Sequence, residues 1–386
     1  MKLLYVSTLD HIIRAMLPHL EGAKRAGYRV EVACRVTRFG DEVRAVADAV
    51  HDVPMSRFPV HASNVVALKK VTELIRRERY DVIHSHNPSG GFIGRLAATN
   101  AGTGALRVYT AHGFHFHRHG HPAANAVYET VERYAGHKLS DAVFVYNRED
   151  YDAALAKNVV PAERLFATRG IGISARGQFN PETVSNADRE AFRKEIGADA
   201  DTPILSVVGE MLPRKRQFDA IRAMQRIVGA HPATILVLVG DGAMLEQNKA
   251  LARSLGVDAN CRFLGFRRDV KRILAASTLF VFPSKQEGLP CAIQEALAME
   301  LPTVATDARG NSELVHADNG RLVELAAPER IADAVIELLS LPPAERRAMG
   351  RRGREQMVSR YERELCVAEW LDLYTVADAR RRAQTA

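Results

Sequence analysis

The 386-residue chain has no uninterrupted apolar run approaching the roughly 20 residues that a membrane-spanning helix needs. Its opening, MKLLYVSTLDHII, is broken by Asp10 and His11 after a short apolar stretch, which is too short and too polar for a secretory signal peptide. Cysteine is scarce. Cys34, Cys261, Cys291 and Cys366 are scattered, with no pair at zinc-site or redox-motif spacing, so free thiols in a reducing compartment are expected and the protein reads as cytoplasmic. A zinc finger, an aromatic RNA-binding signature and a continuous basic arm are also missing. The net charge of +7 therefore points to small anions or a membrane surface as partners, and away from nucleic acid. An Asp-x-Asp at Asp199 and Asp201 falls in a polar turn before a strand, a solvated setting, and neither a metal nor a cofactor is expected.

What is present is an alternation of short β-branched runs with helical-period segments from end to end, the pattern of parallel sheets with helical crossovers. The first series is LLYVS, YRVEVAC, DVIHSH, RVYTAH and DAVFVYN, and the second is PILSVVGE, TILVLVGDG, CRFLGF, TLFVFPS and PTVATD. Between them the Gly-, Pro-, Asn- and Ser-bearing stretch at 173–190 reads as a linker. The expected architecture is α/β, with two doubly wound domains at about 1–175 and 190–361. A basic helix at about 362–386 is expected to pack back on the first domain. Such sheets bind ligands beyond the carboxyl ends of their strands, so chemistry is sought in the loops that follow these runs.

Two loops of the second series stand out. In FPSKQEGLPCAIQEALAM a strand is followed by a turn and then a helix expected to start near Leu289, with Pro290 in its first turn. Backbone N–H groups at that helix start, beside Gly288, suit a phosphate or a sugar hydroxyl. Glu287 precedes the helix and Glu295 lies nearly two turns into it, so one carboxylate can face a reacting group and the other a hydroxyl pair. In VVGEMLPRKRQFDAI a strand ends at Gly209, a loop carries Arg214, Lys215 and Arg216, and a helix starts near Gln217, which would surround a diphosphate with cations.

Together, EGLPCAIQEALAMELPTVATDARGNSELV, LVGDG, CRFLGF and the VGE…K loop resemble the second domain of family 4 retaining glycosyltransferases. Glu287 and Glu295, with seven residues between them, carry that family's Glu spacing. The resemblance covers nearly the whole chain and implies the GT-B fold, two Rossmann-like domains facing each other across a cleft. It implies that Glu295 holds a nucleotide ribose, that Glu287 contacts the donor sugar, and that Gly288, Leu289 and Pro290 present backbone donors. It further implies that Lys215 binds the diphosphate and that Phe266 and Arg267 line the base. One departure is Glu210, where many members carry arginine after the glycine; Arg214 or Arg216 is expected to replace that charge.

DVIHSHNPSGGFIGRLAA and the long stretch from YTAHGFHFHRHGHP to Tyr151 are similar to bacterial capsule and exopolysaccharide enzymes of the same family, whose first domain binds the acceptor. The stretch Thr110 to Pro122 holds five histidines. His112 ends a strand before Gly113, where the resemblance implies the active-site histidine. His115 and His117 alternate with Phe114 and Phe116, while His119 and His121 flank Gly120 in a turn, so their arrangement is read as a loop and not a metal site. His11, His86, Phe114 and His115 are candidates for the acceptor side. The loop Ser7 to His11 lacks the paired glycines many members carry there. In NVVALKKVTELIRRERYD, Val65, Leu68, Val71, Thr72 and Ile75 recur at helical spacing beside Lys69, Lys70, Arg76, Arg77 and Arg79, as in a crossover helix or one lying on a membrane.

The resemblance implies a retaining transfer from a nucleotide-diphosphate sugar, with a UDP-sugar favoured, to a lipid-linked or glycan acceptor in surface polysaccharide synthesis, on or near the cytoplasmic membrane face. The rivals are a nucleotide-sugar 2-epimerase of the same layout and a non-catalytic nucleotide-sugar binder.

Overall fold

The computed structural model describes residues 1–58, 60–118 and 120–385. His119 of the histidine-rich loop lies outside the described residues. By its internal contacts the chain divides into two compact units, one of residues 1–172 with 363–386 and one of residues 173–362.

The first unit is built on β1 (Lys2–Leu9), β2 (Arg29–Arg35), β3 (Ala49–Asp52), β4 (Val82–His86), β5 (Leu106–Ala111), β6 (Ala142–Val145) and β7 (Leu165–Ala167). They pair in parallel in the order β3-β2-β1-β4-β5-β6-β7. The second unit holds β8 (Ile204–Val208), β9 (Ile235–Val239), β10 (Cys261–Gly265), β11 (Leu279–Phe282), β12 (Thr303–Thr306) and β13 (Gly320–Val323). Their order is β10-β9-β8-β11-β12-β13, again parallel. Central strands such as β9, Ile-Leu-Val-Leu-Val, are buried along their whole length because helices cover both faces. In each sheet the strand order reverses once, at β1/β4 and at β8/β11. At such a switch the loops leave in opposite directions and open a crevice.

β3, β7 and β13 are absent from the strand runs read in the sequence. All three are edge strands of only three or four residues, Ala-Val-His-Asp, Leu-Phe-Ala and Gly-Arg-Leu-Val, too short for a repeating pattern to show. Edge strands meet solvent on one side, and short, polar edges protect against pairing with other chains. Residues 173–190 belong to the second unit and do not run free. Ile173 N donates to Tyr361 O at 2.9 Å, Arg176 N to Glu362 Oε2 at 2.9 Å, and Arg354 Nη1 to Ala175 O at 2.9 Å. The helix Asn186–Glu195 begins inside the stretch, capped by Ser185.

The helix Arg363–Thr385 returns to the first unit and buries Cys366, Trp370, Tyr374 and Ala377 there. Trp370 meets His19 at 4.1 Å between ring centroids, and the Tyr374 hydroxyl lies 2.6 Å from His84 Nδ1. The helix Ser63–Glu78 covers the sheet with Ala67, Val71, Leu74 and Ile75. Val65, grouped in the sequence with this apolar face, is instead 72% exposed, one position off the buried stripe.

A buried carboxylate ties β2 to its neighbours. Glu31 accepts from the Tyr80 hydroxyl at 2.6 Å and from Arg29 Nε at 2.8 Å, and its Oε2 lies 2.8 Å from His51 Nε2. Burial alone would raise its pKa, but the bonds from Tyr80, His51 and Arg29 outweigh it and bring the group down to about 2. A depressed carboxylate adds stability above its unfolded value near 4.5, and that contribution is lost as pH falls towards 2. The shift corresponds to about 3 kcal/mol. Denaturant titrations should therefore show Glu31→Gln less stable than the parent at pH 7, with the gap closing by pH 2; an equal gap at both pH values would disprove the assignment.

Candidate functional site

The β8/β11 switch brings together the two loops marked in the sequence. After β8 the chain passes Gly209 and Glu210, makes a short turn at Pro213–Lys215, and enters the helix Gln217–Ala230. After β11 it passes Ser284 and Glu287 and enters the helix Cys291–Ala298. Lys215 Nζ donates to Glu287 Oε1 at 2.6 Å, Arg214 Nη1 to the same oxygen at 3.3 Å, and Ser284 Oγ to it at 2.6 Å. Three donors thus converge on one oxygen of Glu287, while among the described residues no donor reaches Oε2. The Lys215 ammonium also sits 5.0 Å from the centre of the Phe282 ring.

The helix expected to start near Leu289 starts two residues later. Pro290 is its N-cap, in extended conformation at φ −72° and ψ 116°, and Leu289 is buried beneath it. The first turn of the helix therefore begins at Cys291. Glu295 lies on this helix, partly buried. Gly310 lets the backbone after β12 close on this loop, since a Cβ there would stand 2.2 Å from the Gly288 carbonyl oxygen. Gly240 does the same after β9, where a Cβ would meet the Gly209 carbonyl oxygen at 2.2 Å.

The two arginines weighed for the charge missing at Glu210 part company. Arg214 stands beside Lys215 on Glu287. Arg216 adopts a left-handed conformation, φ 51°, and donates from Nε to Asp219 at 2.6 Å, so its guanidinium is turned away onto its own helix. Arg267 is likewise committed to carboxylates. It donates to Asp269 at 2.7 and 2.6 Å and to Glu195 at 2.6 Å, and these bonds raise its pKa above the ordinary arginine value. The Arg267 guanidinium is thus fixed on Asp269 of its own loop and on Glu195, and its neighbour Phe266 is half exposed.

Behind Glu287 lies a polar support that the sequence reading missed. The Thr306 hydroxyl donates to Ser284 O, Asn311 Nδ2 to Thr306 O at 2.9 Å, and Arg309 Nε to Glu287 O at 3.0 Å. Ser284, Thr306, Arg309 and Asn311 are all buried. The available signal was a polar residue directly after an apolar strand, as at Ser284 after Phe282 and Pro283.

In the first unit the β1/β4 switch is closed by Asn87, held at φ 55°. Its Nδ2 donates to Ser7 Oγ at 3.0 Å and Thr8 Oγ1 at 2.9 Å. Ser7 to His11 is not a loop: β1 runs to Leu9, and Asp10 opens the helix Asp10–Ala15. The Asp10 carboxylate accepts from Thr37 N at 2.7 Å, Thr37 Oγ1 at 2.6 Å and Phe39 N at 2.9 Å, which fixes it inside the fold. His11 is exposed, 3.5 Å from Arg57.

His112 follows β5 directly and is partly exposed. Its ring packs against those of His86 and Tyr146, and burial disfavours the imidazolium and lowers its pKa to about 4. His86, at the end of β4, is fully buried and reaches His112 at 3.2 Å, so it has no surface of its own for an acceptor. Phe114 is also corrected: its ring is core, stacked on Phe116 at 4.7 Å among Tyr109, Val143 and Val145. His115 is exposed, 5.1 Å from the Tyr128 ring. Among the described residues no three His, Cys, Asp or Glu side chains converge as a metal site requires. Among the same residues no helix is long and apolar enough to cross a membrane.

Comparison with known proteins agrees with this geometry. Residues 188–356 match the family described as glycosyl transferases group 1, and residues 13–168 the glycosyl transferase 4-like domain. EpsD of Bacillus subtilis (strain 168), a glycosyltransferase by its name, is 31% identical over 97% of this chain and 96% of its own. The UDP-Gal:alpha-D-GlcNAc-diphosphoundecaprenol alpha-1,3-galactosyltransferase of Escherichia coli is 27% identical over 86% of this chain and 85% of its own. Among solved structures, Alr3699/HepE of Anabaena, crystallised with UDP and glucose, superposes with a TM-score of 0.81 at 19% identity, covering 97% of this chain and 99% of that one. With both sheets, both switch points and both sequence domains accounted for, the chain belongs to the family 4 glycosyltransferases of GT-B architecture, enzymes that transfer a sugar with retention.

Proposed function

We propose that this enzyme transfers a sugar from a UDP-sugar to a lipid-linked or glycan acceptor in bacterial surface polysaccharide synthesis, with the donor on the second unit and the acceptor on the first. The observation that carries this reading is the convergence of Lys215, Arg214 and Ser284 on one oxygen of Glu287 at the sheet's switch point. It supports a division of labour. The two cations and the first turn of the helix Cys291–Ala298 stabilise charge developing on the departing diphosphate. Glu287 Oε2 accepts from a sugar hydroxyl, and Glu295 takes the ribose. His112, uncharged at neutral pH, orients a hydroxyl.

The test is a thermal-shift screen across nucleotide sugars followed by transfer to an undecaprenyl diphosphate sugar. A ligand at about one hundred times its Kd stabilises the folded state by about 2.7 kcal/mol. A UDP-sugar that both raises the melting temperature and disappears into a glycolipid is expected. An epimerised free nucleotide sugar formed without acceptor, or binding with no turnover, would replace this reading with one of its rivals.

The finer proposal is peripheral attachment to an anionic membrane face. Phe58 is 74% exposed, Val60 99% and Val65 72%, and beside them the outer face of the helix Ser63–Glu78 carries Lys69, Lys70, Arg76 and Arg77. Apolar tips next to cations suit a headgroup boundary, with each cation near the surface contributing about 1 kcal/mol. Cosedimentation with phosphatidylglycerol vesicles, but not phosphatidylcholine vesicles, is expected, and its loss in Lys69→Glu/Lys70→Glu. Equal recovery with both lipids would sink the idea.

A further inference from the structure

Burial disfavours the charged form of both His86 and His112, and their shared hydrogen bond carries information about which nitrogen of His112 is protonated. His86 ends β4 and His112 follows β5, the adjacent parallel strand, in which His86 is in register with Thr110, two residues before His112. The rings meet at 5.3 Å between centroids, and His86 Nδ1 lies 3.2 Å from His112 Nε2. Burial, reinforced by the neighbouring imidazoles of His84, His112 and His19, depresses His86 well below the usual histidine value. Between two neutral imidazoles one nitrogen donates and the other accepts.

Two assignments exist, and they differ in what they leave inside the protein. If His112 Nε2 donates, His86 must carry its own proton on Nε2. That nitrogen is buried, and no group among the described residues lies within hydrogen-bond distance of it. The His86 ring is stacked against Tyr5 at 5.3 Å and against Trp370 at 6.1 Å. An N–H buried in such a setting loses its hydration without compensation, and orphaned donors are rarer in folded proteins than under-used acceptors. If His86 Nδ1 donates instead, its Nε2 holds only a lone pair, and no donor is orphaned. His112 then accepts on Nε2 and carries its proton on Nδ1, for which no hydrogen bond exists among the described residues.

We propose that His86 is a positioning residue whose Nδ1–H holds His112 in the Nδ1-protonated tautomer, so that His112 offers a neutral N–H donor to a hydroxyl oxygen of the bound sugar. This deepens the assignment of His112 given above and rests on it for the ligand, but the tautomer stands on the histidine pair alone. His112 then acts as a fixed donor and not as a base. The sequence hides this relation, because 26 positions separate the two residues and only the strand pairing joins them.

The experiment is long-range 1H–15N correlation on imidazole-labelled protein, with His112 assigned through His112→Gln. The wild-type spectrum is expected to show His112 protonated on Nδ1 and bare on Nε2, and the reverse pattern overturns the proposal outright. His86→Asn keeps an N–H where Nδ1 stood, and it should preserve the tautomer and most of the transfer activity. His86→Leu removes the donor, and it should admit the Nε2-protonated form and lower kcat/KM by about 10- to 100-fold, by analogy with loss of the partner that orients a metal-bound histidine. An unchanged His112 tautomer in His86→Leu also overturns the proposal. Should that variant not fold, loss of the Nδ1 tautomer in His86→Asn would do the same. Undiminished transfer by His112→Ala would instead count against the site assignment, leaving the tautomer result to be read separately.

Discussion

Lys215→Ala is expected to lower kcat by about 10²- to 10³-fold in a sugar-transfer assay, the loss that accompanies removal of one preorganised group aimed at transition-state charge. Its ammonium is held between Glu287 Oε1 at 2.6 Å and the Phe282 ring at 5.0 Å, which leaves it little freedom to reorganise when a diphosphate departs. Arg214 donates to the same carboxylate oxygen from 3.3 Å, but its side chain is 42% exposed against 14% for Lys215. Solvent screens Arg214 more strongly, so Arg214→Ala should cost less. Glu287→Ala removes the acceptor of three hydrogen bonds and leaves two cations side by side, so a loss at least as large is expected. The double variant Lys215→Ala/Glu287→Ala should then lose less than the product of the single effects, since groups that act as a unit are not additive. Undiminished turnover in both single variants would dismiss the site.

The second large effect is on the fold and reaches the site through it. Gly310 has φ +81°, and a Cβ there would lie 2.2 Å from the Gly288 carbonyl oxygen and 2.8 Å from its carbon. Both are backbone atoms and cannot rotate aside. Gly310→Ala adds about 1–2 kcal/mol for the left-handed conformation, and displacing the Glu287–Pro290 loop adds more, for a total of about 2–5 kcal/mol, the range that marks strain and overpacking. Gly256 is the control, because at φ +66° its Cβ would meet nothing within 4 Å. Gly256→Ala should show the conformational part alone. Urea midpoints of the two variants measure the difference, and nucleotide-sugar affinity should fall in Gly310→Ala only. Equal midpoints would mean the close approach is not a constraint.

The alternation of apolar runs and helical segments was enough to read the central strands and the loops that end them, because a strand covered on both faces must be apolar throughout. It was not enough for β3, β7 and β13, whose solvent-facing edges remove that requirement. The Glu287 and Lys215 loops were legible for the same reason as the sheets, since each follows a well-marked strand. That Arg214 joins Lys215 while Arg216 and Arg267 turn onto Asp219 and Asp269 was not legible, because the choice among neighbouring cations depends on which carboxylate lies within reach. Phe114 and His86 show the same gap from the side of burial. Their spacing is that of loop and strand-end residues, yet packing from distant segments takes them into the core.

The helix Arg363–Thr385 gives the molecule an order of construction. Trp370 and Tyr374 line the histidine cluster of the first unit, yet they are synthesised after every residue of the second. The second unit is one continuous segment, whereas the first is completed only by residues 363–386. Domains ordinarily mature in the order of synthesis. Here the unit that carries His112 is started first, and the helix that covers its buried imidazoles is encoded after the whole of the second unit.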